Sequence, residues 1–424
     1  MIKKIRLFLD YFIILLKRVC TMVDEKSILF IPHLNCEKDN YDIINYKSDN
    51  VLCLFNSILK DSRFKNYHLY IAFFNQNKLE EYSQYCQQYN LERIHFVNYH
   101  NLKEIYSCFY KSKFVFTDEF YRSYRFKSSK QNVVCLNYYS FPYKSDYVKL
   151  FDEKRNKYVY LDEQTRINRC YDYLVSTSDI SSIAIMQSEP IYYEKCVTLG
   201  FPRSDVFYCD NSLLRSQIVS LFPFQVNKIF VYVPTHRDYE DSTRKAFDKN
   251  SSRRTIWGYE SKENIDCLDK FLQEENSIII AKIHPVQAKS ILNNQNTQRI
   301  ITFQEIAMKI SVSLNELMSI ADAMITDYTS AVFDFLMCDK PIIYYHFDIE
   351  KYDKTRGFFL NPMTPLCAGE TCYNLSELTI ALNKIILGFD EFSSKRRFLL
   401  DLLVTYQDQN SSERIKNFFF KDLK

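Results

Sequence analysis

Two series of short apolar runs, separated by stretches of helical periodicity, constrain this chain more than any other feature. From Ser27 to about residue 195 come SILFIP, YHLYIAFF, RIHFV, KFVFT, NVVCL and DYLV; from Lys228 onward come KIFVYVP, SIIIAKIHP, RIITF, AMIT and PIIYYH. Continuous apolar runs without polar alternation are strands buried on both faces, and such strands alternating with helices pair in parallel. Two series therefore predict an α/β chain with two doubly wound domains facing a central cleft, ligands lying at the C-terminal ends of the strands. A length of 424 residues, too long for one ordinary core, agrees with two domains.

The expected boundaries are an amphipathic helix over 1–25, a first domain over 26–200, a second over 201–385 and closing helices over 386–424. The polar stretch 241–255, DSTRKAFDKNSSRRT, reads as a long exposed loop. In the first helix Ile5, Phe8, Phe12, Leu15 and Val19 share one side, and Lys3, Lys4, Arg6, Lys17 and Arg18 crowd both ends. Its apolar run is too short to span a bilayer, and Asp10 interrupts it. It reads as a helix lying in the plane of the inner face of the cell membrane, with a core helix packed on its own domain as the alternative.

Composition excludes several classes. A net charge of +3 leaves no global field for nucleic acid, and the basic aromatic segment YRSYRFKSSK (121–130) reads as a solvated face. Only five glycines occur, so neither a Walker loop nor a dinucleotide fingerprint exists, and any phosphate must be held by helix ends and side chains. Thirteen cysteines without a C-x-x-C pair are free thiols of a reducing compartment, which places the chain in the cytoplasm. Asp238, Glu240 and Asp241 look like a solvated loop, so no tightly bound metal is expected, with Mg²⁺ possible on a phosphorylated donor.

The densest polar knot is the joint MITDYTSAVFDF (324–335). Ser313 and Glu316 form a capping box for the helix upstream, a short strand ends at Thr326, and a second helix begins near Ser330. Thr329 and Ser330 either cap that helix or join its free amides in holding a phosphate. Asp327 reads as a loop organiser that accepts backbone N–H groups. Other strands of the second series also end in polar groups: Thr235, His236, Arg237 and Asp238 after KIFVYVP, His284 after SIIIAKI, and Asp348 after PIIYYH.

These segments together, GFPRSD (200–205), YVPTHRD (232–238), AKIHP (281–285), LNELMSIADAMITDYTSAVFDF (314–335) and KPIIYYHFDIEKYDKTRGFFLNP (340–362), resemble the CDP-glycerol glycerophosphotransferase family of teichoic acid polymerases and primases. INYKSDN (44–50) and YDYLVSTSD (171–179) agree more weakly. The resemblance implies a GT-B fold, with a Rossmann-like acceptor domain first and a Rossmann-like donor domain second. It further implies transfer of glycerol phosphate from CDP-glycerol, or ribitol phosphate from CDP-ribitol, to a lipid-linked or glycan acceptor, with release of CMP. The product would be a teichoic-acid-like or capsular polymer.

By the same resemblance, His284 contacts the donor phosphates, Thr329 and Ser330 take the pyrophosphate, and Arg237, Arg356, Gly357 and Thr235 complete the donor site around Asp327. His236 stands where the family usually has an aromatic residue, and Arg203 is not assigned to the site, a carboxylate across the domain interface being its alternative to a substrate contact. One departure concerns the acceptor side. Where the family carries Trp-His-Gly, this chain has VVCLNYYSFPYK, with Asn137 and Tyr138 at the positions of His and Gly. Neither is a base near neutral pH, which leaves His33 and Asp49 as substitutes. The rival readings are a GT-B glycosyltransferase using a nucleotide sugar, and a binding protein that keeps the donor pocket without the chemistry.

Overall fold

The computed structural model describes residues 18–33, 49–73, 91–118, 127–137, 140–142, 170–188, 191–235, 256–258, 260–282, 297–355, 357–360 and 362–422, together with 12, 14, 16, 80, 83, 84, 86, 87 and the backbone of 151–152 and 157–158. The chain forms two compact units: Met1–Tyr138, Leu150–Asp205 and Asp408–Lys424 make the first, Tyr139–Lys149 and Val206–Gln407 the second.

In the first unit the strands are β1 (Asp24–Ile31), β2 (His68–Phe73), β3 (Ile94–Asn98), β4 (Ser112–Thr117), β5 (Asn132–Cys135), a two-residue antiparallel ladder of β6 (Phe151–Asp152) with β7 (Lys157–Tyr158), β8 (Tyr173–Ser176) and β9 (Cys196–Thr198). Helices α1 (Asn50–Leu59), α2 (Leu102–Lys111) and α3 (Asp179–Ser188) connect them. All strands but the ladder form one parallel sheet, ordered β3-β2-β1-β4-β5-β8-β9. Ile28 to Ile31 are all buried, as the apolar run requires of a strand covered on both faces. Phe30 packs on Phe55 of α1 and on Phe116 of β4.

The second unit contains α4 (Ser212–Val219), β10 (Lys228–Val233), α5 (Lys262–Glu274), β11 (Ser277–Ala281), β12 (Ile300–Thr302), α6 (Phe303–Ala307), α7 (Leu314–Ile320), β13 (Ala323–Thr326), α8 (Ala331–Phe335), β14 (Ile342–Tyr345), α9 (Ile349–Thr355), β15 (Glu370–Cys372), α10 (Leu375–Ile386) and α11 (Ser393–Leu403). Its six-stranded parallel sheet runs β12-β11-β10-β13-β14-β15. The single tryptophan, Trp257, lies flat on Tyr232 at 4.6 Å and closes one face of this core. The capping box of Ser313 and Glu316 opens α7 as expected.

The last helix, α12 (Ser411–Phe419), belongs to the first unit, so the two closing helices of the tail divide between the units. Phe419 and Phe420 pack on Phe114 and Phe116 of the first sheet. Periodicity finds each long strand and misses β9 and β15, which have three residues each and carry polar side chains, as well as the two-residue β6 and β7.

Among the described residues no helix is long and apolar enough to cross a membrane. Residues 18–20 and the described members of 12–16 are helical, with Phe12, Leu16 and Val19 exposed and Ile14 buried. The cysteines among the described residues are free thiols. The loop 241–255 and residues 121–126 of the basic segment lie outside the described residues, whereas Lys127 pairs with Asp172 at 2.6 Å.

Candidate active site

In a doubly wound sheet, ligands settle where strand order reverses direction, outside the carboxyl ends of the strands. In the second unit that point lies between β10 and β13, whose last residues Val233 and Thr326 are in register. Both chains leave the sheet there into polar residues. The buried Asp327 carboxylate accepts the Thr235 N–H at 2.8 Å and also the Tyr328 N–H. Asp327 thus ties the two strand ends together across the switch point, the organising role its position suggests.

Thr329 Oγ1 accepts the Ala331 N–H at 3.3 Å and so caps α8. Ser330 makes no side-chain cap bond, is half-buried, and its hydroxyl remains open to a ligand. Helix α8 has five residues and passes directly into a 3-10 turn, Leu336–Cys338. A helix this short contributes little macrodipole, and its first-turn amides are engaged within the turn: the Ala331 N–H with Thr329 Oγ1, the Val332 N–H with the Thr329 carbonyl at 3.4 Å and the Phe333 N–H with the Ser330 carbonyl at 3.1 Å, so the free helix amides expected from the sequence are not offered here.

Gly357 is joined to this corner by a column of rings. Tyr328 lies between His346, at 4.9 Å and 15°, and Tyr352, at 4.2 Å and 27°. Phe358 packs on both tyrosines, and the Gly357 N–H donates to the Tyr352 carbonyl at 3.3 Å. The Tyr328 hydroxyl donates to Asp348 at 3.1 Å, and His346 Nε2 lies 3.4 Å from the Asp327 carbonyl oxygen. With φ at +73°, Gly357 occupies a conformation that a side chain would strain. Thr235, Asp327, Thr329, Ser330 and Gly357 are therefore gathered at one corner of the second unit. Arg237, His284, Arg356 and His236 lie outside the described residues.

In the first unit the reversal falls between β1 and β4, with Ile31 and Thr117 in register. His33 follows β1, and its backbone N–H donates to Asp49 at 3.0 Å. The other Asp49 oxygen accepts the Leu52 N–H at 2.8 Å, so this buried carboxylate serves as the N-cap of α1. Asn137 is buried at φ +64°, and its carbonyl accepts the Asn50 amide at 2.9 Å. Tyr138 is outside the described residues.

Asp118, directly after β4, also stands at this reversal, and the strand-end pattern did not single it out. It is buried, and burial first, then the charge of Asp49 and a hydrogen bond shared with it, push its carboxyl well above the usual range; Arg203 pulls the other way. Arg203 thus faces a carboxyl of its own unit. Its backbone N–H donates to Asn50 at 3.1 Å, and its guanidinium lies over Phe201. The signal for Asp118 was present, since KFVFT ends in a polar residue just as AMIT does. His346 was also legible as the end of PIIYYH without any role following from its position. Among the described residues no cluster of three metal-ligating side chains occurs.

Two parallel sheets, each with polar groups collected at its point of reversal, define the GT-B class of α/β architecture. The chain matches the family model for CDP-glycerol:poly(glycerophosphate) glycerophosphotransferase over residues 29–421. Its fold matches that of the wall teichoic acid polymerase TagF, with a TM-score of 0.73 at 20% identity over 100% of this chain and 96% of that one. The teichoic acid glycerol-phosphate primase of Bacillus subtilis is 25% identical over 326 residues, 75% of this chain and 76% of that protein. The ribitol-phosphate polymerase TarK of Staphylococcus aureus is 24% identical over 253 residues, 59% of this chain and 45% of that protein. The chain belongs to the CDP-glycerol:poly(glycerophosphate) glycerophosphotransferase family and is a transferase of the teichoic acid synthesis class.

Proposed function

We propose that the chain moves glycerol phosphate from CDP-glycerol to an acceptor hydroxyl in building a teichoic-acid-like or capsular polymer at the cell envelope. The observation that carries this reading is the corner at the β10/β13 reversal, where Asp327 fixes both strand ends and leaves the Ser330 hydroxyl open. An acceptor oxygen attacks the β-phosphorus, the new O–P bond forms as the bond to CMP breaks, and CMP leaves with the electron pair. In such a transfer, positioning and stabilisation of charge on the phosphoryl oxygens supply most of the rate. The Ser330 hydroxyl binds the diphosphate, Gly357 lets the backbone approach, and Arg237, Arg356 and His284 supply positive charge and hydrogen bonds by their place in the family motifs.

The acceptor proton passes to His33, since Asp49 is engaged as a cap and Asn137 has no basic atom. Any Mg²⁺ arrives with the donor, so activity is expected to survive a chelator, and its loss there would count against this reading. The exposed stripe of Phe12, Leu16 and Val19, flanked by Lys17 and Arg18 in the sequence, supports peripheral attachment to the inner face of the cell membrane. Kinship to both glycerol-phosphate and ribitol-phosphate enzymes keeps CDP-ribitol as the second donor to test.

The decisive assay incubates the purified chain with CDP-glycerol or CDP-ribitol and lipid-linked acceptors and measures CMP. CMP release from CDP-glycerol with a product heavier by one glycerol phosphate is expected, and His284→Ala is expected to lose turnover by orders of magnitude. A product carrying a sugar, or His284→Ala at full activity, would reject the reading. His33→Gln within a fewfold of wild type would remove His33 as the base.

A further inference from the structure

Residues 139–149 follow the last strand-end residues of β5 in sequence, yet they belong to the second unit. Ser140, 1% exposed, donates its hydroxyl hydrogen to Asp334 on α8, itself 4% exposed. Its neighbour Phe141 stands edge-on to Phe333 of α8 at 5.2 Å and to Phe359, just past Gly357, at 5.8 Å. Two consecutive residues of this arm therefore touch both halves of the corner described above: the helix that carries Ser330 at its start, and the loop that carries Gly357.

Physical reasons make these contacts matter for position. A five-residue helix cannot hold its own direction, because so short a segment barely exceeds the nucleation length and takes its orientation from packing. A buried carboxylate such as Asp334 costs free energy in proportion to the donors it lacks, so the Ser140 hydroxyl selects the α8 placement that keeps their hydrogen bond. The Phe141 ring fills the space between Phe333 and Phe359, so helix and loop cannot approach or separate independently.

We propose that Ser140 and Phe141 are positioning residues for the donor diphosphate, acting through α8 and the Gly357 loop without touching the ligand. The inference rests on the donor-site reading given under Proposed function. It assigns to the segment that replaces the family's Trp-His-Gly neighbourhood a task on the donor side.

The test is calorimetric titration of CDP into the full chain and its variants, reading Kd and stoichiometry separately. A merely structural role would lower the stoichiometry as protein misfolds and leave Kd where it was. Mispositioning raises Kd at unchanged stoichiometry, by about fivefold to tenfold for Ser140→Ala, the worth of about one buried hydrogen bond. Phe141→Leu is expected to act in the same direction, and Ser140→Thr, which keeps the hydroxyl, to restore wild-type affinity. Ser330→Ala serves as the reference for the donor corner itself. If Ser330→Ala weakens CDP binding while Ser140→Ala and Phe141→Leu bind as wild type does, the arm has no positioning role. If wild type fails to bind CDP, or Ser330→Ala binds it unchanged, the donor-site reading fails and the inference with it.

Discussion

A buried carboxyl, Asp118, stands at the first unit's point of strand reversal. Asp118 is buried away from bulk solvent, and Asp49 beside it is already committed to the His33 and Leu52 amides. Its carboxyl is accordingly raised, and the native state takes up a proton before the unfolded chain does. Stability then rises as pH falls through the native value toward the unfolded value near 4, and the full cost applies above the native value. Asp118→Asn, neutral at every pH, is expected to exceed wild type in stability by on the order of 1–3 kcal/mol at pH 8, with the advantage shrinking toward pH 4. Thermal melts across that range check it, and a difference independent of pH would show that Asp118 does not carry the titration.

Among the elements, α12 depends on a motif far from it in sequence. Asp205, the last residue of GFPRSD, accepts the Ser411 N–H at 2.9 Å and the Ser412 N–H at 3.2 Å, and so caps the helix. Arg414 donates to the Leu199 carbonyl at 2.9 Å, and Gly200 lies beneath at φ +78°. A Cβ at Gly200 would stand 2.6 Å from Ser411 Oγ. GFPRSD is therefore a seat for the returning helix, a task that the order of motifs along the chain did not disclose. Gly200→Ala is expected to cost about 2–4 kcal/mol, from left-handed strain and overpacking together, in denaturant unfolding. A loss under about 1 kcal/mol would mean that the seat yields easily.

For the molecule as a whole, the return of residues 408–424 to the first unit makes that unit discontinuous in sequence. Phe420 packs on Phe64 at 4.9 Å and on Phe114 at 4.4 Å, while the buried Lys416 pairs with Asp61 at 2.7 Å and Arg63 with Glu413. Ending the chain at Gln407 would uncover those phenylalanines and leave Asp61 without its buried partner. The shortened chain is expected to lose cooperative melting of the first unit and to bind a hydrophobic dye. A melting profile unchanged from wild type would show that the tail is dispensable.

The sequence by itself determined the two parallel sheets, the capping box of Ser313 and Glu316 and the polar groups at strand ends. Each of these is encoded within about ten neighbouring residues, where periodicity and capping chemistry act. Asp327, Thr329 and Ser330 were legible for that reason, since a strand, a polar turn and a helix follow one another directly. Only the tertiary structure decided that Thr235 and Asp327 meet, that Gly357 joins them through Tyr328 and Tyr352, and that Asp118 loses its solvent. It alone assigned residues 139–149 to the second unit and α12 to the first. Strand order and burial depend on which distant apolar surfaces find each other once chain entropy has been overcome, and no local pattern records that outcome.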